Sequence, residues 1–297
     1  MADLVARTAE PPSEVEVTLA LARALLGDQH PDLADLPITP AEDGWDNVML
    51  RLGEDLALRL PRRKAGARLI LTEQTWLPVV APGLPLPAPI PLRTGLPGRG
   101  YPYHWSVVPW FDGTPCDLAP PGPDEGAALA GFLRALHRPA PDDAPANPFR
   151  GVPLAERAAA FEAQFAEAGR RSGGPGPHLR ELWSAALAAP IDAPRSWFHG
   201  DLHGRNVLVK DGRFAAVIDW GDMAAGDAAC DLAAVWMLLP DRSARRRAIA
   251  AYDASAATWT RARGWAALMS VMLLTIANNP RMPAMGAAIV ARLEDGP

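Results

Sequence analysis

Residues 198–221 read Phe-His-Gly-Asp-Leu-His-Gly-Arg-Asn-Val-Leu-Val-Lys-Asp-Gly-Arg-Phe-Ala-Ala-Val-Ile-Asp-Trp-Gly. Val207–Val209 and Phe214–Ile218 are apolar runs split by Lys210-Asp211-Gly212-Arg213, a hairpin signal with Asp-Gly at the bend. Pairing the two strands joins their outer ends. Asp201 and Asn206 are therefore predicted to lie near Asp219, although 18 and 13 positions separate them from it. Two carboxylates and an amide on a rigid hairpin suit a hard, oxygen-liganded cation such as Mg²⁺, which completes its shell with phosphate oxygens and water.

His199-Gly200-Asp201-Leu202-His203-Gly204-Arg205-Asn206, followed by Ile218-Asp219-Trp220-Gly221, resembles the catalytic loop and metal-binding tripeptide of the aminoglycoside phosphotransferase family. These are small-molecule relatives of the protein kinases, and they include macrolide phosphotransferases. The resemblance implies a two-lobed α+β protein-kinase-like fold. A small antiparallel sheet lobe that binds nucleotide would cover residues 1–111, and a mostly helical lobe with the catalytic loop and acceptor site would cover 112–297. It implies transfer of the γ-phosphoryl group of ATP or GTP to a hydroxyl of a small molecule, an antibiotic among the candidates. By the same resemblance Asp201 is the catalytic base, and Asn206 and Asp219 hold Mg²⁺.

Outside the hairpin, Leu56-Ala57-Leu58-Arg59-Leu60-Pro61 reads as a strand whose alternation separates Arg59 from Leu58 and Leu60. In the resembled family this strand carries a phosphate-gripping Lys, and Arg59 stands at the matching position with a planar fork in place of a point charge. Glu73, on a helix expected over about 66–80, would hold Arg59 in place. Trp110 and Phe111 fall in the family's hinge, whose backbone reads the adenine edge. A glycine-rich G-x-G-x-x-G loop is absent, and Asp43-Gly44-Trp45-Asp46-Asn47 takes the equivalent turn.

Within the catalytic stretch, His199 is expected to be structural, while His203 either touches substrate or fills the loop. Asp231 matches a family acid that anchors the loop from below, and Asp227 suits a helix cap. Gly204-Arg205 replaces the Pro-Gly common in the family. Two other readings stay open: a kinase-like module that binds nucleotide without catalysis, and a metal hydrolase built on His199-x-Asp201-x-His203 with Asp219. Zinc sites ask for a further nitrogen or sulfur ligand, and His30, His104, His137 and His178 show no ligand spacing.

Bulk properties are those of an ordinary globular chain. At 297 residues, 49% hydrophobic and 21% charged, it can bury roughly 75% of its extended surface. The net charge of −5 argues against a nucleic-acid partner. Cys116 and Cys230 have no paired spacing, which points to neither disulfide framework nor zinc site. No apolar run reaches membrane-spanning length and no signal segment opens the chain, so a cytoplasmic protein without membrane partners is expected.

Ser13-Glu14-Val15-Glu16 reads as a capping box opening a first helix. Strands are expected at about 36–42, 47–52, 56–60, 88–93 and 104–110. Helices follow around 123–137, over 147–169, and over 179–187, with a loop over 170–177; after the hairpin they cover 227–239, 243–254, 257–277 and 281–293. Residues 241–297 carry four acids against eight arginines, which speaks mildly against a polycationic acceptor. Trp236, Met237, Trp265, Met269, Met272, Met282 and Met285 could line a groove for a bulky, less charged acceptor such as a macrolide, although Trp and Met at helical spacing are more often core.

Overall fold

A computed structural model describes residues 12–41, 44–172 and 175–296. Its first sheet is antiparallel throughout, with strands β1 (Ile38–Pro40), β2 (Asn47–Leu52), β3 (Leu56–Pro61), β4 (Arg93–Gly95) and β5 (Trp105–Pro109) in the order β1-β2-β3-β5-β4. Leu50, Leu52, Leu58, Leu60, Trp105 and Val107 bury one face against α1 (Leu19–Gln29), whose Leu25 and Leu26 complete that cluster. Helix α2 (Lys64–Val80) lies between this sheet and the rest of the chain: Glu73 and Gln74 face the sheet, and Leu77 and Val80 join the larger core.

That larger core is mostly helical. It is built from α3 (Glu125–Leu136), α4 (Ala158–Ser172), α5 (Pro177–Ala188), the short α6 (Ala229–Leu232) and α7 (Ala234–Leu238), and then α8 (Arg242–Tyr252), α9 (Ala256–Leu274) and α10 (Arg281–Asp295). Helix α9 is the axis, packed by α4, α5, α6 and α10. It is apolar nearly all round, as a helix enclosed on every side must be. Two small antiparallel sheets support the predicted catalytic stretch. β6 (Thr114–Pro115), β8 (Val207–Lys210) and β9 (Arg213–Val217) form one, and β7 (Ser196–Phe198) with β10 (Ala224–Gly226) forms the other. Among the described residues no helix is long and apolar enough to cross a membrane.

Several elements differ from the expectation. The first helix starts at Leu19, where Thr18 Oγ1 accepts from the Leu21 N–H at 3.1 Å, and not at Ser13. Residues 13–15 run along the end of β3 instead, with Glu14 and Val15 N–H donating to the Arg62 carbonyl at 2.9 and 3.1 Å. The Glu14 carboxylate caps α2, accepting the Lys64 N–H at 2.8 Å, so its preference for a helix N-terminus is met by a different helix. The segment 88–92 is not a strand: Pro89 and Pro91 lack donors, and pairing with β5 begins only at Leu92, which donates to Val107 O at 2.8 Å.

Residues 147–153 form a loop in place of a helix. Asn147 Oδ1 accepts the N–H groups of Phe149 and Arg150 at 2.8 and 3.1 Å, an Asx turn that competes with helix. The helix expected from 147 begins at Ala158 and continues to Ser172, past the expected loop start.

Candidate active site

The hairpin does what its sequence predicts. β8 and β9 pair antiparallel with Val207 opposite Val217, and the Ile218 N–H donates to the Asn206 carbonyl at 2.9 Å, which sets Asp219 beside the loop. Asn206 Nδ2 donates to the Asp201 carbonyl at 2.9 Å and to Asp201 Oδ2 at 3.0 Å. His203 Nε2 lies 3.3 Å from the same Oδ2. Its Nδ1 accepts the Arg205 N–H at 3.3 Å, which puts the ring proton on Nε2, facing Asp201. His203 therefore both fills the loop and steadies Asp201.

The loop is suspended from Asp231. This carboxylate, buried at 1% exposure, accepts the N–H groups of His199 at 2.6 Å and Gly200 at 2.8 Å. Gly200 has φ +87°, and a Cβ there would sit 2.9 Å from Asp222 O, so no other residue fits this corner without displacement. His199 is structural, as expected: its Nδ1 accepts the Asp201 N–H at 3.1 Å, its Nε2 donates to Ile218 O at 3.0 Å, and its ring meets Trp220 edge-on. With both ring nitrogens engaged, His199 has no lone pair for a metal, and the hydrolase reading loses one of its ligands.

On the other side of Asp219 stands Arg59. Its Nη2 lies 2.5 Å from Asp219 Oδ1 and 3.0 Å from Glu73 Oε1, and strand cation and helix acid are 7% and 3% exposed. Burial alone would raise the Asp219 pKa, and the adjacent Arg59 outweighs it, holding the carboxyl below its ordinary value. For Glu73 the balance goes the other way: burial dominates the pull of Arg59 and pushes the carboxyl up to about 7. Asp219 itself adopts the left-handed conformation, φ 59° and ψ 65°, an uncommon state that recurs at functional sites. Gly221 lets α2 approach, since a Cβ there would lie 2.8 Å from Leu69 Cβ.

An Arg escaped the sequence reading. Arg150, from the loop after Asn147, donates from Nε to Gly200 O at 2.8 Å and places Nη2 3.5 Å from Asp201 Oδ1. Asn147 Nδ2 fastens the same loop to Asp222 through its carbonyl at 3.1 Å and Oδ1 at 2.8 Å. Burial works against the Arg150 charge, and Asp201 and Asp222 more than offset it, raising its pKa. The signal available was Asn147-Pro148, a turn opener.

At the expected hinge, the Trp110 N–H already donates to Asp55 O at 2.7 Å, and Arg51 stacks 4.7 Å over the Trp110 ring. Phe111 N–H has no protein acceptor among the described residues. The turn expected to cover phosphate lies partly outside the described residues, which omit 42 and 43. Its visible end closes with Gly44 N–H on Asn47 O at 3.0 Å. Among the groove candidates, Trp236, Trp265 and Met269 are core, whereas Met237 and Met285 line a cavity.

A sequence model of the phosphotransferase enzyme family (APH) matches residues 37–265, a span that holds every residue of this site. The chain belongs to the phosphotransferase enzyme family. No curated protein matches this phosphotransferase by sequence. Solved structures do match its fold. An aminoglycoside 2′-phosphotransferase-IIIa in complex with GDP superposes with TM-score 0.62 at 15% identity, covering 94% of this chain and 100% of that one. A macrolide 2′-phosphotransferase apoenzyme from Brachybacterium faecium gives 0.58 at 22% identity, over 91% and 97% of the two chains. An ADP-bound aminoglycoside phosphotransferase gives 0.60 at 13% identity, over 93% and 98%. The phosphotransferase thus has the two-lobed α+β kinase-like fold that its motifs imply.

Proposed function

We propose that this phosphotransferase moves the γ-phosphoryl group of a nucleoside triphosphate, ATP or GTP, to a hydroxyl of a small molecule. The observation that carries the reading is the junction of Asp201, Asn206 and Asp219: Asn206 bonds Asp201 through its side chain and Ile218, next to Asp219, through its carbonyl. In this reading Asp201 accepts the hydroxyl proton as the acceptor oxygen attacks phosphorus. Hydrogen bonding from Asn206 and His203 fixes the orientation of its carboxylate, and its side chain keeps 20% exposure from which to meet an acceptor. In-line placement of this kind supplies much of the barrier reduction in phosphoryl transfer.

Asn206 and Asp219 would hold Mg²⁺. The donors are all oxygen, as that cation requires, and the Asp219 carboxylate already draws a positive group, the Arg59 guanidinium, to 2.5 Å. Bound there, Mg²⁺ would neutralise charge on the donor phosphates. Arg59, steadied by Glu73, would add a second cation to those phosphates, and Trp110 and Phe111 would border the base. Residues 1–111 would form the nucleotide lobe and 112–297 the acceptor lobe, a division supported by the separate buried cluster of the sheet, with Leu77, Val80, Ala81 and Ala88 reaching across into that of the helices.

The test is transfer of label from γ-labelled ATP and GTP to a panel of hydroxyl compounds that includes aminoglycosides and macrolides, with Asp201→Asn as the control. A labelled acceptor that fails to form in the variant supports the assignment. Nucleotide binding without transfer to any acceptor would favour the non-catalytic module. Asp219→Ala should lose Mg²⁺-dependent nucleotide binding in a calorimetric titration, and unchanged binding would remove its metal role.

A further inference from the structure

Arg157 is a buried cation with no counter-ion among the described residues. It ends the short 3₁₀ helix Leu154–Arg157 and is 4% exposed. Its Nε is shut off from solvent without an acceptor, and among the described residues neither Nη group makes a hydrogen bond or ion pair. The Phe149 ring lies over the guanidinium, with 5.3 Å between Cζ and the ring centroid. A stacked ring covers a guanidinium face and leaves the donor edges open. Burial penalises the Arg157 charge and the nearby Arg150 adds like-charge repulsion, so its pKa falls below the ordinary value.

Arg150, the cation that repels it, also reaches the candidate base, with Nη2 3.5 Å from Asp201 Oδ1. Both arginines sit on a segment that is fixed at several points. Asn147 ties its start to Asp222, Arg150 Nε ties it to the Gly200 carbonyl, and the Gly151 carbonyl accepts the Asp227 N–H at 2.8 Å. Gly151 has φ +63°, and a Cβ there would run into the Phe198 ring, so this crossing is made by glycine. Asp201 and Asp222 offset the charge of Arg150, whereas no acid does so for Arg157. An unpaired buried guanidinium is costly, and an arriving anion relieves that cost. Its planar donor edge matches the paired oxygens of a carboxylate or phosphate.

We propose that the acceptor of this phosphotransferase is itself an anion, a hydroxyl compound whose carboxylate or phosphate pairs with Arg157, next to Arg150, while its hydroxyl meets Asp201. The inference rests on Asp201 as the base of the transfer reading and adds the substrate class. A polycationic acceptor would bring its ammonium groups against two arginines and is disfavoured there.

Isotope-labelled protein with MgADP in the donor cleft can be titrated with glycerate, glycerol 3-phosphate and uncharged glycerol while the arginine Nε–H signals are followed by NMR. Arg157→Lys identifies the Arg157 signal by removing it. The expected result is a saturable shift of that signal with at least one acid and none with glycerol. Which acid shifts it distinguishes a carboxylate from a phosphate acceptor. Arg157→Gln should weaken binding of that acid about tenfold or more, the size of one charge-assisted contact, with ADP affinity by calorimetry and the circular dichroism melt near wild type. The wild-type titration decides without this variant. Anion binding is read without phosphoryl transfer, so its outcome is independent of whether Asp201 acts as a base. No saturable shift with either acid up to about 50 mM, an equal shift with glycerol, or undiminished acid binding in folded Arg157→Gln overturns the proposal.

Discussion

Arg59 Nη2 bridges Asp219 Oδ1, at 2.5 Å, and Glu73 Oε1, at 3.0 Å. One guanidinium thereby ties together the third strand, the helix that follows it and the acidic tripeptide, which sequence separates by 160 residues at the extremes. The cation proposed for the phosphates is therefore in contact with the carboxylate proposed for the metal.

Arg59→Lys should retain part of the turnover, because a positive charge still reaches the phosphates. Arg59→Met should lower kcat/KM for nucleotide about 10²–10³-fold, as removal of a charge-stabilising donor does. It also removes the shared cation of Glu73 and Asp219 and should lower stability, by less than for a fully buried ionised pair because Glu73, already pushed up to about 7, then takes up a proton. Steady-state kinetics and urea unfolding of the two variants check both statements. Wild-type activity in Arg59→Met would dismiss the phosphate role.

Asp201→Asn keeps the shape of the loop and removes the proton acceptor. Turnover should fall about 10²–10⁴-fold, while the nucleotide dissociation constant measured by calorimetry stays near the wild-type value. A comparable fall in nucleotide affinity would show that Asp201 serves binding, not proton transfer.

Asp231→Asn should reduce both stability and activity. The wild-type carboxylate accepts two backbone N–H groups, from His199 and Gly200, and an amide offers only one oxygen. Leaving one buried N–H unmatched costs about 1–3 kcal/mol, measurable by urea unfolding. Turnover should fall with it because Asp201 sits on the loop so released.

Asp192 links the end of α5 to the start of α9 by accepting from Thr258 Oγ1 at 2.8 Å and Arg261 Nη1 at 3.1 Å. Hydrogen bonds from Ser255, Thr258 and Arg261 lower its pKa from 3.8 to about 2. A depressed carboxylate stabilises the fold above its unfolded value and loses that contribution as pH falls through the folded one. The Tm difference between wild type and Asp192→Asn should thus be full above pH 3.8 and shrink towards pH 2. A difference constant across that window would assign Asp192 no linked titration.

The hairpin and its acids were legible because a turn dipeptide between two apolar runs dictates which ends meet, and that fixed the neighbourhood of Asp201, Asn206 and Asp219. Arg59 and Glu73 were legible as strand cation and helix acid only through the family resemblance. Arg150 was not, because a loop Arg carries no periodic signal and its target is 50 residues away at Gly200. Charge counting was silent on pairing: Arg261 goes to Asp227 and Arg281 to Asp117, so two of the arginines in excess over acid in the last helices are matched by acids from earlier in the chain. Ser13-Glu14 misdirected the reading for a related reason: a capping signature records a carboxylate suited to a helix start, without saying which helix.

That misplaced cap has a mechanical corollary. Glu14 grips the first amide of the helix that presents Glu73, and its Oε2 also receives the Tyr103 hydroxyl at 3.1 Å. The leading segment is thus an outrigger for the helix behind Arg59. Trimming the chain ahead of Thr18 to tidy its N-terminus would remove Glu14 and slacken the helix that presents Glu73.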